Sequence, residues 1–549
     1  MRHLANLRRP AGAIHATLLT LILIAYGYLA VGYARATPRW NNPDEPAHFN
    51  YIRHVARTGT LPVLQAGDWD AALLGRLTTA WFPNDYEIDA LRYEGHQPPL
   101  YYVLGAAVYR LTDGLPLPRQ VLALKLLSIV LGGVVVVAAY VVARELAPTE
   151  PLLAPLASVT VAFVPMFGAI SAAINNDSLA NALAATTLAA LAVGWRRGFE
   201  VRGALGVGVL LGLLLLTKLT VYVYVPLALV AIYLRGRPGG VPSPPGPLSL
   251  TQERAGRRSV LPSLASGRGA GGEGTLLAAL VALAVVLPWL VRNVLTYGPL
   301  DPLGLLRHDA VVVGQPRWSE FVPPGDLSSL DFFARILFRS FWGVFGWMGV
   351  ILDDGFYVLY LALTLLALAG LAMRRIPGGG RTAGEARVAD VERVVGTSGA
   401  RLRAPWLLVA PIALVFGEVA YYNLTFVQPQ GRYLFPALVP LAVGLSAGWC
   451  ALAESARSAR WIGGLPAALL AATIGWSVAE WHGAVRAREP WTDNGLVLAA
   501  LATGVAVAIL PAPIRSALPP ALIGLLGLAL GLLDYAALVR FVAPAFPVR

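Results

Sequence analysis

Charged residues are scarce in this sequence. Only 13% of its 549 residues are Asp, Glu, Lys or Arg, whereas 56% are hydrophobic and the mean hydropathy is +0.62. Soluble globular domains usually contain about 25% charged residues. The composition therefore excludes an ordinary soluble protein and indicates a chain that crosses a membrane many times.

Cysteine and lysine are also rare. Cys450 is the single cysteine, which excludes an intramolecular disulfide and a cysteine metal cage. The chain has two lysines, Lys125 and Lys218, against 41 arginines, and its net charge is +12. The arginines collect in short loops between apolar segments, as the positive-inside rule describes for membrane proteins. This distribution favours a role in membrane orientation and argues against a nucleic-acid partner.

The apolar segments predict an all-α polytopic membrane protein with about 13 transmembrane helices. The run from Ala11 to Tyr33 is too long for the apolar part of a signal peptide, so we expect it to be retained as the first helix. The predicted spans lie near residues 12–34, 120–143, 152–174, 178–195, 203–218, 219–234, 275–297, 354–373, 405–423, 432–453, 461–480, 495–511 and 518–540.

Charge decides one doubtful segment, Pro99–Leu111. The basic N-terminus and the basic loop 196–202 should both be cytoplasmic, so an even number of crossings must separate them. Pro99–Leu111 is also shorter than the roughly 20 residues that a span needs. We therefore expect it to be a juxtamembrane helix on the outer surface.

The same argument divides the chain into four regions. Residues 1–234 form an N-terminal core, whose first external loop, 36–118, is rich in acids and carries candidate catalytic residues. Residues 235–274, rich in Gly, Pro, Ser and Arg, are predicted to be a flexible cytoplasmic loop. Residues 275–453 add spans and an external loop at 298–350, and residues 454–549 add C-terminal spans.

The first external loop begins with a polar cluster, Asp44, Glu45 and His48, where the chain should leave the bilayer. If Pro46 opens a short helix, His48 lies in its first turn, close to Asp44. Two adjacent carboxylates and a histidine suit a catalytic or metal-binding site at the membrane surface. The alternative is that Asp44 only caps the helix, since carboxylates accept hydrogen bonds from free N–H groups there.

A second cluster, from Glu94 to Tyr102, closes the same loop. Glu94 and His96 are possible ligands for a divalent metal such as Mn, Mg or Zn, and Glu45 is a third. Gln97 and Tyr101 lie beside them. A polar loop end with an aromatic membrane anchor explains the same residues without a site.

A third acid, Asp177, follows Asn175 and Asn176 and is expected on the outer face. It either caps the helix that follows or reaches the site formed by the first two clusters.

Cations complete the pattern. Lys218, Arg292 and Arg432 lie near predicted outer helix ends, where they can bind a lipid phosphate, and arginine can do so bidentately. Ordinary snorkelling of long side chains to the interface is the alternative. Acids, metal ligands and cations on one face suggest a reaction on an anionic lipid, in which a carboxylate base acts opposite a phosphate leaving group.

Four stretches in this order resemble the GT-C superfamily of integral-membrane glycosyltransferases, in particular a bacterial branch of largely unknown function. They are Pro43-Asp44-Glu45-Pro46-Ala47-His48-Phe49, His96-Gln97-Pro98-Pro99-Leu100-Tyr101-Tyr102, Asn176-Asp177 and Gln430-Gly431-Arg432-Tyr433. The resemblance covers residues 12 to 450. Aminoarabinose transferases of lipid A and protein O-mannosyltransferases are more distantly similar.

The resemblance implies a GT-C fold and a sugar donor linked to polyprenyl phosphate, with inversion at the anomeric carbon. It implies that Asp44 is the general base and that Glu45 supports it or binds metal. Aminoarabinose transferases have a Glu-Lys pair before the Pro-Pro-Leu motif, whereas this chain has Glu94-Gly95-His96-Gln97 and so lacks that lysine. The substrate-binding residues expected on this basis are His48, His96, Gln97, Tyr101, Asp177, Lys218, Arg292 and Arg432.

The expected partners are a polyprenyl-phosphate-linked sugar, a lipid or glycan acceptor and the membrane. The expected location is the cytoplasmic membrane of a bacterium, with the site on the external face. A flippase for a lipid-linked glycan would need charged residues inside its spans. Here Lys125, Glu418 and Asp534 are the clearest exceptions to spans nearly free of charge. A catalytically inactive lipid-binding member is a further alternative.

Overall fold

The computed structural model describes residues 2–83, 87–236, 271–321, 328–375, 404–455, 469–478 and 512–546, and these are mainly helical. The predicted span at 495–511 and most of the predicted loop at 235–274 lie outside the described residues. The helices of the first half are α1 (Arg2–Ala36), α2 (Glu45–Thr58), α3 (Ala71–Thr79), α4 (Leu100–Leu111), α5 (Leu117–Leu146), α6 (Leu153–Ala162), α7 (Pro165–Ser171), α8 (Asp177–Arg197), α9 (Val201–Leu215) and α10 (Tyr224–Arg235).

The second half continues with long helices and a short hairpin. Its helices are α11 (Gly271–Tyr297), α12 (Leu305–Val311), α13 (Trp318–Phe321), α14 (Ser328–Gly343), α15 (Asp354–Arg375), α16 (Trp406–Tyr422), α17 (Leu438–Glu454), α18 (Leu469–Val478), α19 (Ala512–Ala536) and α20 (Ala543–Ala545). Two short strands, β1 (Val344–Phe345) and β2 (Val350–Ile351), pair antiparallel between α14 and α15.

The described helices confirm an all-α polytopic membrane fold. Seven are long and apolar enough to cross a membrane, and the bent pair α6–α7, with an angle of 63°, is an eighth candidate. Predicted spans at 203–218, 219–234, 405–423 and 461–480 correspond to shorter apolar helices among the described residues. Within the described ranges, each of these helices has 10 to 17 residues, fewer than the roughly 20 that a straight span needs.

The segment predicted to be a short juxtamembrane helix forms α4, which has 12 residues. It packs closely on α2. A Cβ atom on Gly105 of α4 would lie only 2.7 Å from the Ile52 side chain of α2, so the close contact depends on this glycine. The Tyr51 and Tyr102 rings stack with their centroids 3.7 Å apart. This contact fixes α2 at the end of the bundle where α1 ends, which we call the site end.

The charged residues within apolar segments have three different environments. Lys125 is buried near Glu45, with 3.5 Å between Nζ and Oε1. Asp534 is fully buried and accepts a hydrogen bond of 2.7 Å from the Tyr33 hydroxyl, which joins the C-terminal helix α19 to α1. Glu418 is only partly buried.

The close contact between α15 and α17 depends on glycine. A Cβ atom on Gly370 would lie 2.1 Å from the Gly448 carbonyl oxygen, so the two backbones can touch only without side chains there. Such small-residue contacts are common between membrane helices. The adjacent Trp449 indole donates to the Leu363 carbonyl at 2.9 Å. This contact holds α17, and the short 3-10 segment Gly431–Ala437 before it, against the bundle.

Candidate active site

A tight turn after α1 presents the first acidic cluster. Trp40 and Asp44 both have left-handed backbones, with φ of 70° and 64°. α2 begins at Glu45, with Pro46 in its first turn, as the sequence predicts. Asp44 occupies the N-cap position, but its side chain makes no capping hydrogen bond. Helix capping therefore does not account for this carboxylate.

The Asp44 carboxylate instead faces Arg432 and Tyr93. Arg432 Nη2 lies 2.9 Å from Oδ2, and the Tyr93 hydroxyl donates to Oδ1 at 3.1 Å. The Asp44 side chain remains 26% exposed, whereas that of Arg432 is 3% exposed. Burial has the largest single effect and acts to raise the pKa of Asp44, but Arg432 and the other nearby charges together hold the pKa below its usual value. Asp44 is thus ionised and partly accessible at neutral pH.

Asp177 and Lys218 extend the same charged group. Lys218 Nζ donates to Asp177 Oδ1 at 2.5 Å, and Arg432 Nη1 lies 3.8 Å from Asp177 Oδ2. The Asp177 side chain is not a helix cap, although α8 begins at this residue. Among the described residues, Arg432 Nη1 and Asp177 Oδ2 have no hydrogen-bond partner. Two cations and two carboxylates therefore meet at the site end, with donor and acceptor atoms still unused.

Three residues at this position lie close enough to share a metal ion. Ligand atoms of Asp44, His48 and Glu94 all lie within 4.8 Å of one another. His48 Nδ1 contacts the Tyr102 hydroxyl at 2.9 Å, which leaves Nε2 available as a ligand. Burial lowers the pKa of His48 to about 3, so its imidazole is neutral. Burial, with Asp44 nearby, raises the pKa of Glu94 to about 8, and Glu94 Oε2 has no hydrogen-bond partner among the described residues.

The predicted metal set of Glu45, Glu94 and His96 is only partly gathered, since Glu94 alone belongs to this group. Glu45 is fully buried and points to backbone N–H groups and Lys125, not to Glu94. The His96 ring lies 4.4 Å from the His308 ring, centroid to centroid. Burial, helped by His308, lowers the pKa of His96 to about 3.

Two other predicted residues join the loop to the segment before α8. The Tyr101 hydroxyl contacts Ser128 Oγ at 2.9 Å and accepts the Asn175 N–H at 3.0 Å. Gln97 Oε1 accepts from Asn176 Nδ2 at 3.4 Å. These residues hold the 175–177 turn beside the first loop and thereby place Asp177 near Arg432.

Arg292 lies apart from the charged group. It donates to the Pro62 carbonyl at 2.5 Å and to Asn293 Oδ1 at 2.9 Å, and its guanidinium stacks over the Tyr297 ring. These contacts join α11 to the first loop rather than adding a cation beside Asp44.

Sequence reasoning does not select as site residues two tyrosines and one amide that contact Asp44 or Arg432, although Gln430 and Tyr433 belong to one of the motifs quoted above. Tyr93 donates to Asp44, Tyr433 contacts Arg432 Nη2 at 3.4 Å, and Gln430 Oε1 accepts from Arg432 Nε at 2.8 Å. Each lies within two residues of a predicted site residue, so their position next to Glu94 and Arg432 was the available signal. Together they restrict the orientation of Asp44 and Arg432.

The fold and site define a multi-pass helical membrane protein with buried and partly buried ionised acids and cations at one end of its bundle. A family model described as dolichyl-phosphate-mannose-protein mannosyltransferase matches residues 96–240, about a quarter of the chain. The matched part contains His96, Gln97, Tyr101, Asp177 and Lys218. This match supports the resemblance to GT-C membrane glycosyltransferases. No curated protein matches the chain.

Two groups of solved structures are similar at low identity. ArnT from Cupriavidus metallidurans, bound to undecaprenyl phosphate, is 14% identical with a TM-score of 0.49, over 94% of this chain and 77% of ArnT. The Archaeoglobus fulgidus oligosaccharyltransferase, in complex with Zn and sulfate, is 13% identical with a TM-score of 0.39 over 77% of this chain and 48% of that chain. The same oligosaccharyltransferase in its apo form covers 92% of this chain and 56% of its own length, at 13% identity and a TM-score of 0.42.

Proposed function

We propose that this protein transfers a sugar from a polyprenyl-phosphate donor to an acceptor hydroxyl, with inversion at the anomeric carbon. The observation that carries the proposal is the ionised, partly exposed Asp44 held 2.9 Å from the buried Arg432. A carboxylate base beside a fixed cation suits a reaction in which a proton leaves one oxygen while negative charge grows on another.

Each charged residue has a place in this reaction. Asp44 accepts the proton of the acceptor hydroxyl, whose oxygen forms the new bond to the anomeric carbon. The bond between that carbon and the phosphate oxygen breaks, and its electron pair leaves with the polyprenyl phosphate. Arg432 and Lys218 bind this phosphate, and Asp177 holds Lys218 in position.

The distribution of arginines in the loops indicates on which side of the membrane this reaction takes place. Basic segments such as 196–202 connect helix ends opposite the site end, where the positive-inside rule expects the cytoplasm. We therefore propose that the site lies on the external face of the cytoplasmic membrane of a bacterium, which agrees with the sequence-based expectation. There a membrane-embedded donor and a lipid or glycan acceptor can both approach.

The proposal is tested with the purified full-length protein in proteoliposomes that contain a radiolabelled polyprenyl-phosphate sugar. We expect transfer of the label to an acceptor and release of polyprenyl phosphate in equal amounts, both detected by thin-layer chromatography. Movement of an intact donor between leaflets without cleavage would contradict transfer and favour a flippase. Donor binding without either outcome would indicate an inactive lipid-binding member.

The residues Asp44, His48 and Glu94 fit a divalent metal ion. They offer carboxylate and imidazole ligands, the hydroxyl of Tyr102 orients the His48 ring, and the buried Glu94 Oε2 lacks another partner. When bound, such an ion would supply positive charge near the reacting phosphate. Arg432 already places positive charge beside Asp44, so such an ion would add to the cations of the chain and would not replace them.

Replacing His48 by Ala removes a direct ligand and should weaken Mn²⁺ or Zn²⁺ binding by more than the about 10- to 100-fold that is typical when only an outer-shell partner of a ligand is lost. Isothermal titration calorimetry in detergent measures the affinity. His54→Ala is the matched control, because His54 lies on the same helix but contacts the exposed Thr60. Equal affinities in wild type and His48→Ala would exclude this metal site.

A further inference from the structure

The turn that contains Asp44 has an uncommon backbone conformation. Trp40 and Asp44 are both left-handed, with φ of 70° and 64°, although neither is glycine. Such conformations are costly for residues with a side chain and persist only where surrounding contacts fix them. The contacts that fix this turn therefore decide where the Asp44 carboxylate points.

Several of these contacts converge on one side chain, Glu45. Its Oε2 accepts the Trp40 N–H at 2.8 Å, and its Oε1 accepts from Asn42 Nδ2 at 3.3 Å and from the Ile174 N–H at 3.2 Å. Glu45 is fully buried, so no substrate reaches it. One carboxylate thus spans the turn before Asp44 and also holds the segment that leads to Asp177.

In the part of the chain that the structure describes, the charge of Glu45 has a single buried counterion, Lys125 of α5. Nζ lies 3.5 Å from Glu45 Oε1 and donates to the Thr37 carbonyl, just after α1, at 3.2 Å. Lys125 is 2% exposed. A buried ion pair of this kind is weak evidence for stability but can specify one conformation. Here it joins α5 to both ends of the strained turn.

We propose that Glu45 and Lys125 form a positioning pair, which fixes the left-handed turn and aims Asp44 at Arg432 without touching substrate. The catalytic part of this inference rests on the proposed function. The pair also explains why one of only two lysines lies inside an apolar segment. Glu45 is then a positioning residue, which develops the sequence-based expectation that it supports Asp44 rather than the alternative that it binds a metal.

Three variants test the pair: Glu45→Gln, Lys125→Met and the double variant. We expect each to lower kcat for sugar transfer about 100-fold, the scale of a misplacement near 1 Å, with the KM for donor nearly unchanged. The double variant should be no slower than the slower single variant, because both changes disable one unit. It also leaves no unpaired buried charge, so it should fold even if a single variant does not.

Three results would overturn the proposal. The first is wild-type kcat in Lys125→Met or in the double variant. The second is a loss of kcat in the double variant that equals the product of the fold-losses in the two single variants, which would mean that Glu45 acts on substrate independently of Lys125. A large rise in the KM for donor would likewise assign the pair to binding instead of positioning.

Glu145→Gln is a matched control. Like Glu45, Glu145 is a buried acid in an ion pair, but it lies on α5 at the end opposite Lys125 and pairs with Arg196. It should lower the melting temperature without changing kcat. If the unaltered protein transfers no sugar, the proposed function fails on its own. The melting temperature then still tests the pair: it should fall in both single variants and recover in the double variant.

Discussion

Asp44→Asn should lower kcat for sugar transfer by about 100- to 10,000-fold, the usual contribution of a general base. Asparagine keeps the hydrogen-bond acceptor for Arg432 and tolerates the left-handed backbone at this position, so the protein should fold normally. It cannot accept the proton of the acceptor hydroxyl. Steady-state kinetics with a polyprenyl-phosphate sugar measure the loss, which should appear in kcat with little change in the KM for donor.

The control for this variant is Asp113→Asn. Asp113 lies in the same first loop but is exposed, and among the described residues its carboxylate accepts a hydrogen bond only from the adjacent Gly114 N–H. It should transfer sugar at the wild-type rate. Wild-type kcat in Asp44→Asn would exclude Asp44 as the base, whatever else the protein does.

Arg432→Lys should lower kcat/KM for the donor about 10- to 100-fold. Lysine keeps the positive charge but loses the planar fork that reaches Asp44 with one nitrogen and lies near Asp177 with the other. A hydrogen bond to a charged group contributes about 1.5 to 3 kcal/mol, and about 1.4 kcal/mol corresponds to tenfold. The loss should also appear as weaker inhibition by free polyprenyl phosphate.

Arg119→Lys provides the comparison, because Arg119 is an exposed arginine in the first turn of α5, away from the charged group. Its substitution should leave donor kinetics unchanged. If Arg432→Lys binds polyprenyl phosphate as well as the wild type does, Arg432 does not contact the phosphate.

Much of this site could be predicted from sequence because its residues lie in short polar stretches between apolar runs. Asp44, Asp177, Lys218 and Arg432 were selected for that reason, and the structure brings all four together. Their grouping followed from helix parity, since charge in the loops indicates the side on which each segment lies. Placing these four residues on the same side of the membrane therefore requires no knowledge of contacts between distant segments.

The different directions of Asp44 and Glu45 could not be predicted. The two residues are adjacent, and sequence alone suggested that they act together. The left-handed backbone at Asp44 turns its carboxylate toward Arg432, while Glu45 begins α2 and points into the bundle. Backbone conformation at one non-glycine residue is rarely visible in sequence, because such a conformation depends on distant contacts such as that of Lys125.

The sequence also does not predict which apolar segments form complete, straight membrane-spanning helices. Apolar composition identified the segments, but it did not show that α6 and α7 bend by 63° or that α9 ends after 15 residues. Pro165 opens α7 after the break, and a proline in the first turn of a helix suits such a bend. Length and hydropathy alone treat a broken helix and a straight one alike.

The contact of Arg432 with both Asp44 and Asp177 has a consequence for biogenesis. During synthesis the N-terminal segments enter the membrane first, so both carboxylates are in place long before residue 432 has been translated. Until then, Lys218 is the only one of the two site cations present. A chain still attached to the ribosome therefore carries an incomplete charge arrangement, which is completed only when Arg432 has been inserted.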